Sequence, residues 1–148
     1  MSFAAVTGRA VRWGVMGTGT IAHDFVKVLQ ALPNCEVAAV GSRSDEGAAR
    51  FGDAHNISGR HGSYEALARD ESLDIVYVAT PSMRHVDDSL LCLESGRHVL
   101  CEKAMAPSAA EARSLNAFVA FIQANLLLTT YEVADEASME ERPPKQMQ

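Results

Sequence analysis

Val11-Arg12-Trp13-Gly14-Val15-Met16-Gly17-Thr18-Gly19-Thr20-Ile21-Ala22 is the stretch whose reading decides the fold. Its first six residues form a short, mostly apolar run of strand length. The Gly-x-Gly-x-x-Ala after it opens directly into Ile21, Phe25, Val28, Leu29 and Leu32, apolar positions at helical spacing that end at Pro33 and Asn34. A strand, a glycine turn and an amphipathic helix in that order are the first half of a βαβ unit. Gly17 permits the tight turn, Gly19 has no side chain to hold a phosphate away from the backbone, and Ala22 lets helix and sheet pack closely. The unpaired N–H groups and the positive end of the helix dipole face that turn, so it suits a dinucleotide pyrophosphate. An ordinary glycine turn is the bland alternative.

Downstream, short apolar runs keep alternating with stretches of helical period, which predicts an α/β fold with a doubly wound parallel sheet, a Rossmann fold. Residues 37–40 read as the second strand and 44–51 as a short polar helix. A loop then passes Asn56 and Gly59, and Ser63 begins a helix carrying Tyr64 and Leu67. Residues 75–79 are apolar on both faces, as a central parallel strand requires. A helix over 86–95 is stopped by Gly96, a strand follows at 99–101, and Ser108 with Glu111 forms a capping box for a helix burying Ala112, Leu115, Val119 and Ile122. Residues 126–130 are the last strand candidate. The expected division is an N-terminal extension at 1–10, the Rossmann domain at 11–130, and a polar, disordered tail at 131–148.

At 148 residues the chain has room for one domain with a sizeable core. Its net charge of -6 and lack of a basic run argue against a nucleic-acid partner, because a phosphate backbone is bound through an excess of Lys and Arg. Neither a secretory segment nor a membrane span is read, so the expected location is cytoplasmic. Cys35, Cys92 and Cys101 are odd in number and lack C-x-x-C spacing, so reduced, buried thiols are expected rather than a disulfide framework or a metal site.

Cofactor type is read at the tip of the second strand, where an Asp or Glu would hold the ribose hydroxyls of NAD. Here stand Gly41-Ser42-Arg43-Ser44, without a carboxylate. A guanidinium beside a hydroxyl suits the 2′-phosphate of NADP through charge-assisted bonds, so NADP is expected, with NAD the alternative. Arg43 as a solvated surface residue is the competing reading.

Two further segments stand at the ends of predicted parallel strands: Ala79-Thr80-Pro81-Ser82-Met83-Arg84-His85 and Cys101-Glu102-Lys103-Ala104. With these and the glycine turn in order, the sequence resembles the Gfo/Idh/MocA oxidoreductases from about Arg12 to about Thr130. Within that family Arg12-Trp13-Gly14, Gly62-Ser63-Tyr64-Glu65 and Cys101-Glu102-Lys103 look most like its NADP-dependent dihydrodiol and D-xylose dehydrogenases. The resemblance implies oxidation of a carbinol carbon by hydride transfer to nicotinamide, with Lys103 matching the Lys of an E-K-P motif beside the reacting oxygen. It also implies that Gly17, Gly19, Thr20 and Ile21 line the pyrophosphate, and that Ser42 and Arg43 hold the adenosine end. Thr80, Pro81, His85, Glu102 and Lys103 then follow the cofactor toward the nicotinamide. Independently of the resemblance, a Lys near an alcohol oxygen can move its proton or stabilise developing negative charge. Glu102 would orient that Lys or hold the ribose. The bland alternatives are a solvated Lys103 and a His85 pointing at water from a helix N-terminus.

The chain departs from the family at Ala104, where the family has Pro, so the Lys103 loop loses a fixed φ. The family's second α/β domain, which encloses the sugar and supplies a His, is expected to be absent, since no His follows His98. A face normally covered would then be apolar and favour a homo-oligomer or a partner protein. Three functions stay open: a truncated NADP-dependent oxidoreductase with weak or lost catalysis, a non-catalytic module that senses the nicotinamide cofactor, and an enzyme whose substrate domain comes from another chain.

Overall fold

The computed structural model describes residues 9–131 and, for side chains, residues as far as Phe121. Apart from residues 9, 10 and 131, the expected extension and tail lie outside the described residues. By contact the chain divides into two compact units, 1–113 and 114–148. The first unit contains the sheet.

The apolar runs form the strands: β1 (Val11–Met16), β2 (Cys35–Gly41), β4 (Ile75–Val78) and β5 (His98–Cys101). Between them stand the helices α1 (Thr20–Gln30), α2 (Asp45–His55), α3 (Tyr64–Ala68) and α4 (His85–Glu94). A strand not expected from the sequence, β3 (Gly59–His61), replaces part of the loop and pairs Gly59, Arg60 and His61 with Ala39, Val40 and Gly41. All strand pairs are parallel, in the order β3-β2-β1-β4-β5.

Alternation along the strands fills two cores. Val15, Val40 and Tyr77 meet Ala22 and Val26 of α1 and Phe51 of α2 on one face. Met16, Val76 and Val78 meet Tyr64, Leu67 and Ala68 of α3 and Cys92 of α4 on the other. The central strands are thus covered on both sides, which is why their sequences are apolar throughout. Cys35, Cys92 and Cys101 are free thiols, and burial pushes the Cys92 thiol up to about 12.

Local signals explain the helix ends. Ser44 Oγ accepts from the Gly47 amide, and α2 runs one turn past its expected end to Asn56, which caps it at φ 56°. Gly96, at φ 78°, closes α4, with the Arg97 amide donating to the Cys92 carbonyl as in a Schellman cap. Ser108 Oγ accepts from the Glu111 amide, and its hydroxyl donates to the Glu111 carboxylate. That cap opens α5 (Ala109–Tyr131), which corrects the strand expected at 126–130: those residues are helical. An apolar run alone does not distinguish strand from helix, and no Gly or Pro breaks residues 108–131. Among the described residues no helix is long and apolar enough to cross a membrane.

One contact between helices joins two imidazoles. His23 Nδ1 of α1 lies 2.6 Å from His55 Nε2 of α2, with both rings against Phe51. One ring donates and the other accepts, so at least one must be neutral. Burial, then the nearby His23 and Lys27 charges, lower the His55 pKa from 6.5. The folded chain therefore binds this proton less readily than the unfolded chain. The associated stability is present above pH 6.5 and lost as pH falls through the lower folded value. Asp70 and Asp74 titrate below 3.8 and stay outside this window. The urea midpoint is expected to drop between pH 7.5 and pH 5, and His55→Gln to flatten that slope; equal midpoints at both pH values would count against the assignment.

Candidate functional site

Strand order reverses between β1 and β4, and a parallel sheet opens a crevice at the carboxyl ends of the strands at such a point. Gly17 leaves β1 there with φ 104°, and Ala79 leaves β4 beside it. A Cβ on Gly17 would lie 2.7 Å from the Ala79 carbonyl oxygen, so the two chains approach as closely as a glycine allows. At Gly19 a Cβ would meet nothing within 4 Å. The space above the turn is open, and α1 begins from Gly19 with no side-chain cap. Its first N–H groups, including those of Thr20 and Ile21, have no intrahelical acceptor and are available to an anion.

The crevice is an open cleft of about 410 Å³ lined by Gly17, Thr18 and Gly19 of the turn, Ser42 and Arg43 after β2, Tyr64 of α3, and Ala79, Thr80 and Pro81 after β4. Six residues singled out from the sequence therefore meet around one space: Gly17, Gly19, Ser42, Arg43, Thr80 and Pro81. Thr80 Oγ1 is buried and has no hydrogen-bond partner among the described residues, so a donor or acceptor arriving in the cleft would satisfy it. Arg9, Arg12, Arg50, Arg60 and Arg84 each pair with a carboxylate, whereas Arg43 has no carboxylate partner among the described residues. A turn with two glycines, an unsatisfied hydroxyl and a guanidinium with no carboxylate partner among the described residues fit the phosphate chain of a dinucleotide. Among the described residues no group of three His, Cys, Asp or Glu side chains could hold a metal.

His85 does not point at water. Its ring is 1% exposed, with Nδ1 2.6 Å from the Ala104 carbonyl and Nε2 2.7 Å from the Thr80 carbonyl. It stands behind the cleft wall and joins the loop after β4 to the loop carrying Lys103. The contact to the Ala104 carbonyl ties the loop at position 104 to His85. Lys103 is exposed. Glu102 extends β5 through its amide to the Val78 carbonyl; one carboxylate oxygen accepts from Tyr77 Oη at 2.5 Å and the other from the Lys103 amide at 3.0 Å. The Tyr77 hydrogen bond, ahead of every other cause, holds the Glu102 carboxyl below the usual range.

Tyr64 is a cleft residue that the sequence does not mark as a site residue: there it reads as part of a helix start and of the Gly62-Ser63-Tyr64-Glu65 segment. The Arg84 guanidinium lies 5.6 Å from its ring centroid and is held by Asp88 at 2.6 Å. Burial raises the Tyr64 phenol above its usual range.

Comparison with known proteins agrees with this geometry. A family model for the Gfo/Idh/MocA proteins, described as an oxidoreductase family with an NAD-binding Rossmann fold, matches residues 11–126. The chain belongs to the Gfo/Idh/MocA oxidoreductase family. Trans-1,2-dihydrobenzene-1,2-diol dehydrogenase of Xenopus laevis is 44% identical over 108 residues, 72% of this chain and 33% of that protein. The mouse enzyme of the same name is also 44% identical, over 72% of this chain and 32% of its own length. A 3-ketoreductase from Actinomadura kijaniata, solved in complex with NADP, superposes with a TM-score of 0.70 at 33% identity over 74% of this chain and 35% of that one. The chain thus spans about one third of the length of these Gfo/Idh/MocA relatives. Its fold is the NAD(P)-binding Rossmann fold of a dehydrogenase family.

Proposed function

We propose that this chain is the NADP(H)-binding part of an oxidoreductase acting on the CH–OH group of a sugar or diol. The observation that carries the reading is the cleft itself, open above Gly19 and ending at Arg43 with no carboxylate partner among the described residues. The dehydrogenase names of the relatives and the NADP bound in the 3-ketoreductase support it. In this reading Gly17, Gly19, Thr20 and Ile21 receive the pyrophosphate, while Ser42 and Arg43 receive the adenosine 2′-phosphate. Thr80 and Pro81 line the way to the nicotinamide, with His85 acting through the Thr80 carbonyl. When bound, the nicotinamide accepts or returns a hydride. Lys103 moves a proton at the substrate oxygen, and Glu102 holds the start of its loop.

Selectivity tests the assignment. Arg43→Ala is expected to weaken NADPH binding by about 10- to 100-fold, the worth of charge-assisted hydrogen bonds to a phosphate, and to leave NADH binding nearly unchanged. Calorimetric titration reads both, and equal affinity of the unaltered protein for NAD and NADP would sink the Arg43 assignment.

For the 148 residues alone the expected result is cofactor binding with weak or no turnover, because Lys103 is exposed to water where a substrate oxygen would sit. The second reading, a cofactor-binding module that docks on a partner or on its own copy, is favoured by Met83 and Met105. These are 82% and 46% exposed on the loops that follow β4 and β5. Turnover of a dihydrodiol or D-xylose with NADP supports the first reading; NADP binding without turnover, in a chain that self-associates across a concentration series, supports the second.

A further inference from the structure

Glu102 and Tyr77 are joined more closely than a packing role requires. The Tyr77 ring is 2% exposed and stacks on Phe25 of α1 with centroids 3.9 Å apart. A phenylalanine would fill that place equally well. The hydroxyl is the part of the side chain that the core does not use, and it donates to Glu102 Oε1 at 2.5 Å. Glu102 Oε2 accepts from the Lys103 amide at 3.0 Å, so both carboxylate oxygens are engaged before any ligand arrives. Each oxygen could still accept a second hydrogen bond, but the two existing donors already fix the direction of the carboxylate relative to the loop.

We propose that Tyr77 is a positioning residue for Lys103, acting through Glu102: the hydroxyl sets the carboxylate, and the carboxylate sets the backbone from which the lysine side chain leaves. The proposal deepens the reading above and rests on Lys103 standing beside the reacting oxygen. Because the same ring stacks on Phe25, one residue links the helix that begins at the glycine turn to the loop that carries the lysine. The two ends of the cleft that must meet one cofactor therefore share a rigid strut.

The test uses the amide resonance of Lys103 in the full chain. In the unaltered protein its shift should follow the Glu102 carboxyl and titrate below 4.5, since the Tyr77 hydrogen bond, the Lys103 amide and charge, and the His85 charge all favour the ionised form against the opposing effect of burial. Tyr77→Phe, which keeps the ring, is expected to move that titration up toward 4.5. It should also speed exchange of the Lys103 amide about tenfold, with the amides of β1 and α1 unchanged. Glu102→Gln should abolish the titration of that amide. An unchanged titration and exchange rate in Tyr77→Phe would overturn the proposal, as would a Lys103 amide that still titrates in Glu102→Gln. NADPH titration of the same samples separates the two levels: no binding by the unaltered protein sinks the cofactor reading, whereas the amide signature reports the strut with or without cofactor.

Discussion

Gly19→Asp is expected to abolish NADPH binding while leaving the fold intact, a separation that follows from where a side chain at this position would go. Gly19 has φ -80° and ψ 176°, extended backbone that any residue adopts, and a Cβ there meets nothing within 4 Å. Aspartate is moreover a good N-cap, so its carboxylate would take the first N–H groups of α1 and would, if anything, stabilise the helix. Those are the groups a pyrophosphate needs. The substitution thus removes the donors and sets a negative charge against another, which costs about 3–5 kcal/mol of binding, or at least about 100-fold in affinity. Nicotinamide fluorescence measures the loss and a thermal melt checks the fold. Affinity within tenfold of the unaltered protein would show that the phosphates do not sit over this turn.

Gly17→Val is expected to do the reverse and damage the fold first. The residue sits at φ 104°, where a β-branched side chain is strained, and its Cβ would press to 2.7 Å on the Ala79 carbonyl, a backbone atom that cannot swing away. Strain of this kind costs about 2–4 kcal/mol and lowers the thermal midpoint by roughly 10 °C in a domain of this size. An unaltered midpoint would mean that β1 and β4 do not approach as closely as the Gly17–Ala79 contact requires. Two glycines of one motif, two residues apart, thereby have opposite duties. Gly17 lets the ends of β1 and β4 approach closely at the turn, and Gly19 keeps the space above that turn empty.

Strands β1, β2, β4 and β5 were legible because each is an apolar run bounded by turn residues. The missed strand has no such pattern: Gly59-Arg60-His61 is extended because it lies along the edge of β2, where a Cβ on Gly59 would meet the Ala38 carbonyl at 2.7 Å. Residues 126–130 failed in the opposite way, since their apolar run fits either structure and the capped helix from Ser108 meets no breaker before it. In the site, the sequence-marked residues that gather round the cleft follow β1, β2 and β4, because the ends of adjacent parallel strands meet whatever their separation in sequence. Tyr64 was missed because it enters the cleft from a helix. The inward direction of His85 was not legible, because its position at a helix start does not say which loops will close over it.

Local chemistry in the chain was enough to determine a strand, a glycine turn and an amphipathic helix in the order that makes a phosphate cradle, and a strand tip with Arg43 where a carboxylate would mark NAD. Those features depend on residues within a few positions of one another, so they are written in the order of the letters. Tertiary structure alone decided that the Tyr77 hydroxyl meets Glu102, that His85 turns inward to two carbonyls, and that Thr80 is left buried with an unsatisfied hydroxyl. Each depends on β4 lying between β1 and β5, a consequence of packing both faces of the sheet at once, which no local pattern specifies.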